Sequence, residues 1–209
     1  MNKYQSSDDF NPENGLPTNN QKDQKSTKLA GLIKEMLLIL NPNASEEVLS
    51  KTPSRYAKAM LELTQSNREG STDAISEAVF DSEGYDDIII VKDINFNSIC
   101  EHHLLPFFGN CAIGYIPNKT ILGLSKFPRL VQALSKKMTF QERLTKEIAD
   151  TINSSVDPQG IVVTLSSTHS CMCFRGIKSF NSKTETIYTI GQMRVKENLD
   201  KFFKLLSNK

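Results

Sequence analysis

Residues 88–116, IIIVKDINFNSICEHHLLPFFGNCAIGYI, read as two apolar strands, 88–91 and 107–116, that flank Cys100-Glu101-His102-His103. Helical and strand patterns lie on both sides of this pair. Upstream, Leu29, Leu32, Ile33, Met36, Leu37 and Leu40 recur at the spacing of one helix face, and Asn41-Pro42-Asn43 ends that helix. Thr52-Pro53, a capping hydroxyl followed by proline, predicts the start of a second helix reaching about Leu63. Downstream, helices are expected at 125–137 and 140–152, strands at 160–167, 171–178 and 184–190, and a last helix at 196–206. This order predicts an α+β fold with an antiparallel sheet over about 86–209, preceded by a helical pair over about 28–66.

The 209 residues suit one folded domain plus a tail. Residues 1–27 are polar, contain Pro12 and Pro17 and show no apolar period, which predicts a disordered tail. With 25 basic and 24 acidic residues, the net charge of +1 gives no general attraction to nucleic acid or membranes, so anion binding must come from local clusters. No apolar run is long enough to span a bilayer. The four cysteines follow no signal segment, which predicts reduced thiols in the cytoplasm rather than a secreted disulfide framework.

The chain has only three histidines, and each lies within a few positions of a cysteine, as Cys100-Glu101-His102-His103 and His169-Ser170-Cys171. Thiolate and imidazole together suit zinc, and three protein ligands would leave an open position for catalysis. On an extended strand, His169, Cys171 and Cys173 would share one side, so Cys173 could close the site as a fourth, structural ligand. Cys111 reads instead as a small buried apolar residue. The number of ligands stays open on this reading.

CEHHLLPF, GYIPN, GLSKFPRLV, QERLT and THSCMCFRG follow one another in this order, and together with TPSRYAKAM they resemble the GTP cyclohydrolase I family from about residue 28 to the end. The resemblance implies a tunnelling fold and hydrolysis of GTP to 7,8-dihydroneopterin triphosphate and formate, at the head of folate or tetrahydrobiopterin synthesis. It implies Cys100, His103 and Cys171 as ligands of Zn2+, with His102 and His169 as proton-transfer residues and Ser125 in the ribose steps. It implies Gln141 and Glu142 at the guanine, and Lys126, Arg129 and Arg175 at the triphosphate, joined by Arg55 and Lys58. A homodecamer with sites at subunit boundaries, and a regulatory protein partner, belong to the same implication.

A carboxylate at Glu142 can accept both N1–H and the 2-amino group of guanine, a donor pair that adenine lacks. The same segment, Thr139-Phe140-Gln141-Glu142, also has the spacing of a helix capping box, in which Glu142 would bond a backbone N–H. Ser125 stands where a helix should start, with Pro128 in its first turn. Two rival readings are a non-catalytic protein of this fold with a structural zinc and another zinc-dependent purine hydrolase. A nucleoside deaminase would need a Pro-Cys-x-x-Cys block, which is absent.

Overall fold

A computed structural model describes residues 19–65 and 78–208. The chain divides into two compact units, Met1–Glu62 and Leu63–Lys209. Helices α1 (Asn19–Leu40) and α2 (Glu46–Thr64) form the first. Helix α1 starts well before residue 28, so the polar stretch 19–27 is helical, while residues 1–18 of the expected tail lie outside the described residues. Gln and Lys are good helix formers, and neither Pro nor Gly interrupts the chain between Asn19 and Gly31. Helix α2 also begins earlier than Thr52-Pro53 predicts. Ser45 is its cap, its Oγ accepting from Val48 N at 3.4 Å, and Glu46 and Glu47 fill the first turn beside the positive end of the helix dipole. Pro53 is buried inside the helix, where it removes one backbone donor without ending the run.

The second unit is built on β2 (Ile89–Cys100), β3 (Pro106–Ile116), β5 (Met138–Thr139), β6 (Gly160–His169) and β7 (Thr184–Gly191), in the order β5-β2-β3-β6-β7. All neighbours are antiparallel except β5 and β2. Two short strands that the sequence patterns do not announce, β1 (Val79–Asp81) and β4 (Thr120–Leu122), form a separate antiparallel pair. The strand expected over 171–178 is not formed. Strand β6 stops at His169, and Ser170–Cys173 makes a helical turn, α5. Gly176 and Lys178 have φ of 58° and 51°, which no extended strand accommodates, and Ser179 N bonds back to Met172 O at 2.9 Å.

Period-two alternation gives the sheet two apolar faces. Phe107, Cys111, Ile113 and Tyr115 of β3 and Ile161, Val163 and Leu165 of β6 point to one cluster, shared with α3 (Lys126–Ser135) and α4 (Gln141–Val156). Ala112, Ile116 and Val162 face the other way, onto Met193 and onto Phe202 of α6 (Lys196–Ser207). Lys92 fastens the end of α6 by donating to the carbonyls of Leu205, Leu206 and Asn208, a favourable place for a cation at a helix C-terminus. With both faces covered, the chemistry-bearing residues collect at the sheet end where β2 and β6 stop.

Candidate metal centre

Cys100 is the last residue of β2, and the next five residues turn the chain into β3. The turn is closed by Cys100 N to Leu105 O at 2.8 Å and by Leu104 N to Cys100 O at 2.8 Å, with Leu104 left-handed at φ 55°. One helical turn of this kind brings positions three apart together. Cys100 Sγ and His103 Nδ1 are accordingly 3.6 Å apart. From the other side, the short turn after β6 carries Cys171 inward, and ligand atoms of Cys100, His103 and Cys171 all lie within 4.8 Å of one another.

The donor set fits zinc. Tetrahedral zinc, with bonds of about 2.3 Å to sulfur and about 2.05 Å to nitrogen, separates those two atoms by about 3.6 Å, the spacing found between Cys100 Sγ and His103 Nδ1. Burial raises the Cys171 thiol above its ordinary value, the neighbouring Cys100 adds to the shift, and the charge of Arg175 opposes it. Cys173 is buried on the same short helix and directs its sulfur to the carbonyls of Ser179 and Phe180, at 3.5 and 4.0 Å. The expected alignment of His169, Cys171 and Cys173 fails because they do not share a strand. Cys111 is fully buried in the core, and desolvation pushes its thiol far up.

His102 and His169 stand outside the ligand group. His102 and His103 have ring centroids 6.3 Å apart, and His102 stacks at 12° to Phe140, 6.4 Å away. Phe140 carries the guanidinium of Arg143 at 4.0 Å from its ring centre, and Arg143 grips Glu101 at 2.7 and 3.3 Å. The start of α4 is thereby tied to the turn that holds His102. His169 pairs in register with Phe107, and its Nε2 lies 2.9 Å from Gln141 Oε1. Desolvation lowers the pKa of His169, with Glu142 pulling the other way, so the Glu142 carboxylate acts electrostatically on that imidazole.

Glu142 is exposed in the first turn of α4, whose N-cap is Phe140, with no side-chain cap bond. Thr139 belongs to β5, and its hydroxyl bonds Phe140 O, so the capping box that the spacing allows does not form. Gln141 is buried, and its side-chain amide is engaged inside the protein rather than displayed. Ser125 occupies the N-cap position of α3 in a helical conformation without a cap bond, Pro128 falls in the first turn, and Lys126 and Arg129 follow on the same helix. Among the described residues no hydrogen bond or ion pair joins these three to the Cys–His–Cys group. Arg55 and Lys58 are exposed on α2, in the first unit. Sequence reasoning missed Glu101, Phe107, Phe140 and Arg143. Glu101 and Arg143 sit inside the CEHH and QERLT motifs beside the residues it named.

An α+β unit whose sheet end gathers two thiols, one ligand imidazole and two further histidines is the arrangement of a metal-dependent hydrolase. Residues 29–207 match the family model described as GTP cyclohydrolase I. The chain belongs to that family, and its architecture is the tunnelling fold expected of it. It is 42% identical over 180 residues to the GTP cyclohydrolase 1 of Parabacteroides distasonis, a match covering 86% of this chain and 92% of that protein. With human GTP cyclohydrolase 1 the identity is 45% over 166 residues, 79% of this chain and 66% of the human protein. The enzyme of that name from Neurospora crassa is 41% identical over 180 residues, and the match spans 57% of its length.

Proposed function

We infer that this chain hydrolyses GTP to 7,8-dihydroneopterin triphosphate and formate, using zinc held by Cys100, His103 and Cys171. The observation that carries the reading is the convergence of these three ligand atoms within 4.8 Å, with His102 and His169 outside the ligand group. A zinc ion there would lower the pKa of a coordinated water toward about 7 and so supply the hydrolytic nucleophile.

The chain's own residues handle recognition and protons. Glu142 accepts N1–H and the 2-amino group of guanine from an exposed position close enough to influence His169 electrostatically. His169 and His102 give and take protons as the five-membered ring opens, the general acid–base role that an imidazole side chain can fill. Arg175, whose charge is felt at Cys171, binds a phosphate, and Lys126 and Arg129 bind the others, with Arg55 and Lys58 as further cations. Ser125 serves the ribose rearrangement. Gln141 meets the guanine through its backbone N–H at the head of α4, since its side chain is engaged elsewhere.

By resemblance to the family the chain assembles as a homo-oligomer, a decamer whose adjoining copies share each site, and Ser125, Lys126 and Arg129 lie together at the start of α3. A regulatory protein partner belongs to the same reading. The product feeds folate or tetrahydrobiopterin synthesis. No helix among the described residues is long and apolar enough to cross a membrane, and all four cysteines are unpaired, which supports a cytoplasmic enzyme.

The test is incubation of the purified protein with GTP while pterin fluorescence and formate are followed, with and without a chelator. Formation of both products, lost on chelation and restored by zinc, is expected. Binding of GTP by zinc-loaded protein without formate release would overturn the reading in favour of a structural metal.

A further inference from the structure

We propose that Gln141 is a positioning residue that holds His169 as its Nε2–H tautomer, leaving Nδ1 as the acceptor of the ring. Gln141 is only 1% exposed, at the first position of α4. One end of its amide lies 2.9 Å from Leu165 O, 2.9 Å from Thr184 O and 3.0 Å from Thr186 Oγ1. Two of these neighbours are carbonyl oxygens, which only accept, so that end is the NH2 group; reversing the amide would set oxygen against oxygen in a buried site.

The other end is therefore the oxygen. It faces Ser167 Oγ at 2.5 Å and His169 Nε2 at 2.9 Å. An amide oxygen cannot donate, so both neighbours must, and the imidazole proton of neutral His169 sits on Nε2. The remaining hydroxyls close the arrangement consistently. Thr186 accepts from the Gln141 amide and donates to Thr145 Oγ1 at 2.7 Å, and Thr145 donates to Gln141 O at 2.8 Å. Phe107 fixes the plane of the ring by stacking on it at 4.7 Å, so the hydrogen bond and the stack together determine the direction in which Nδ1 points. A histidine that exchanges protons with substrate gains from being held in one tautomer and one plane before substrate arrives. The inference deepens the proposed function, resting on it for the use made of Nδ1, whereas the tautomer itself is independent of GTP.

The experiment is magic-angle-spinning NMR of sedimented, zinc-loaded full-length protein labelled with 15N and 13C at histidine. Only three histidines are present, and His169→Ala identifies the third by its missing signal. At a pH where the ring is neutral, His169 is expected to show a protonated-type Nε2 and a lone-pair-type Nδ1. The reverse tautomer, or a mixture, in the wild type overturns the proposal. Gln141→Met is expected to release the tautomer, to keep zinc, and to lower kcat by about 10²-fold with little change in KM, the scale on which misplacement of a reacting group acts. A well-folded Gln141→Met protein with the His169 spectrum unchanged also overturns it. If Gln141→Met does not fold, the wild-type spectrum alone decides. A locked Nε2–H form in a protein that makes no pterin would reject the proposed function and leave the role of Gln141 standing, while turnover with the reverse tautomer would reject only the latter.

Discussion

The imidazole of His169 lies flat on the ring of Phe107, with centroids 4.7 Å apart and planes within 1° of parallel. The two residues are direct partners across β3 and β6, so the ladder that builds the sheet also sets the stack. Phe107 is fully buried, and truncating it removes core packing as well as the surface under the histidine. Phe107→Ala is expected to cost about 3–5 kcal/mol in denaturant unfolding. Phe107→Leu keeps most of the volume and should cost less than about 1.5 kcal/mol. Its kcat should nevertheless fall, because a branched aliphatic side chain offers no flat face. Phe107→Leu with wild-type kcat would show that stacking does not matter to turnover.

Arg143 and Glu101 form a bidentate pair over the face of Phe140, at the junction of α4 and the turn bearing His102. Their side chains are 50% and 29% exposed, a setting in which an ion pair contributes about 0.2–1 kcal/mol. Arg143→Ala should therefore barely change the unfolding midpoint. A kcat reduced by about tenfold or more, beyond that small stability change, would identify the pair as an orienting clamp on His102; each tenfold corresponds to about 1.4 kcal/mol. Arg143→Lys should restore little, because an ammonium can neither grip both carboxylate oxygens nor lie flat on Phe140. Full activity in both variants would rule out the clamp.

What could be read from the sequence followed the range of each interaction. The hairpin around Cys100 and His103 is local, and strand periodicity with a Cys/His insert was enough to find it. The α+β class followed in the same way from periodic segments. Cys171 misled because Cys, Met and Phe suit a strand, and only the positive φ of Gly176 and Lys178 shows why the chain turns instead. Thr52-Pro53 imitated a helix start inside a helix already capped at Ser45. The setting of Gln141 was beyond sequence reading, since its amide partners Leu165, Thr184 and Thr186 lie 24, 43 and 45 residues away. A glutamine beside Glu142 at a helix start resembles a ligand residue until those partners are known.

Gly109 pairs with Phe96 on one side and Ser167 on the other, in the middle of the strands that end at the site. A Cβ at this position would come within 1.9 Å of Ser166 O and 2.7 Å of Ser167 Cα, both backbone atoms that cannot rotate away. Gly109→Ala must therefore spread β3 from β6, at a cost of about 1–3 kcal/mol or more. The spreading falls beside the Phe107–His169 pair, so loss of activity should exceed what the unfolded fraction explains. Thermal unfolding and single-turnover pterin formation on the same sample separate the two effects, and a variant as stable as the wild type would contradict the geometry.

Metal loading should depend on pH in a way set by Arg175. The thiolate is the ligand, so a proton must leave each cysteine as zinc enters, and apparent affinity rises with pH by about one decade per unit for each proton released. Burial and Cys100 hold the Cys171 thiol above its ordinary value, which places this rise within the neutral to alkaline range; Arg175 works against them. Removing that charge in Arg175→Ala raises the Cys171 thiol further, so the loading curve should shift to higher pH and converge with the wild type once Cys171 is ionised in both proteins. Zinc uptake measured against a chromophoric chelator from pH 6 to 10 gives both curves. Cys171→Ala should lose the retained metal and the turnover together across the whole range. A shift toward lower pH in Arg175→Ala, or full zinc retention in Cys171→Ala, would exclude Cys171 as the ligand that Arg175 serves.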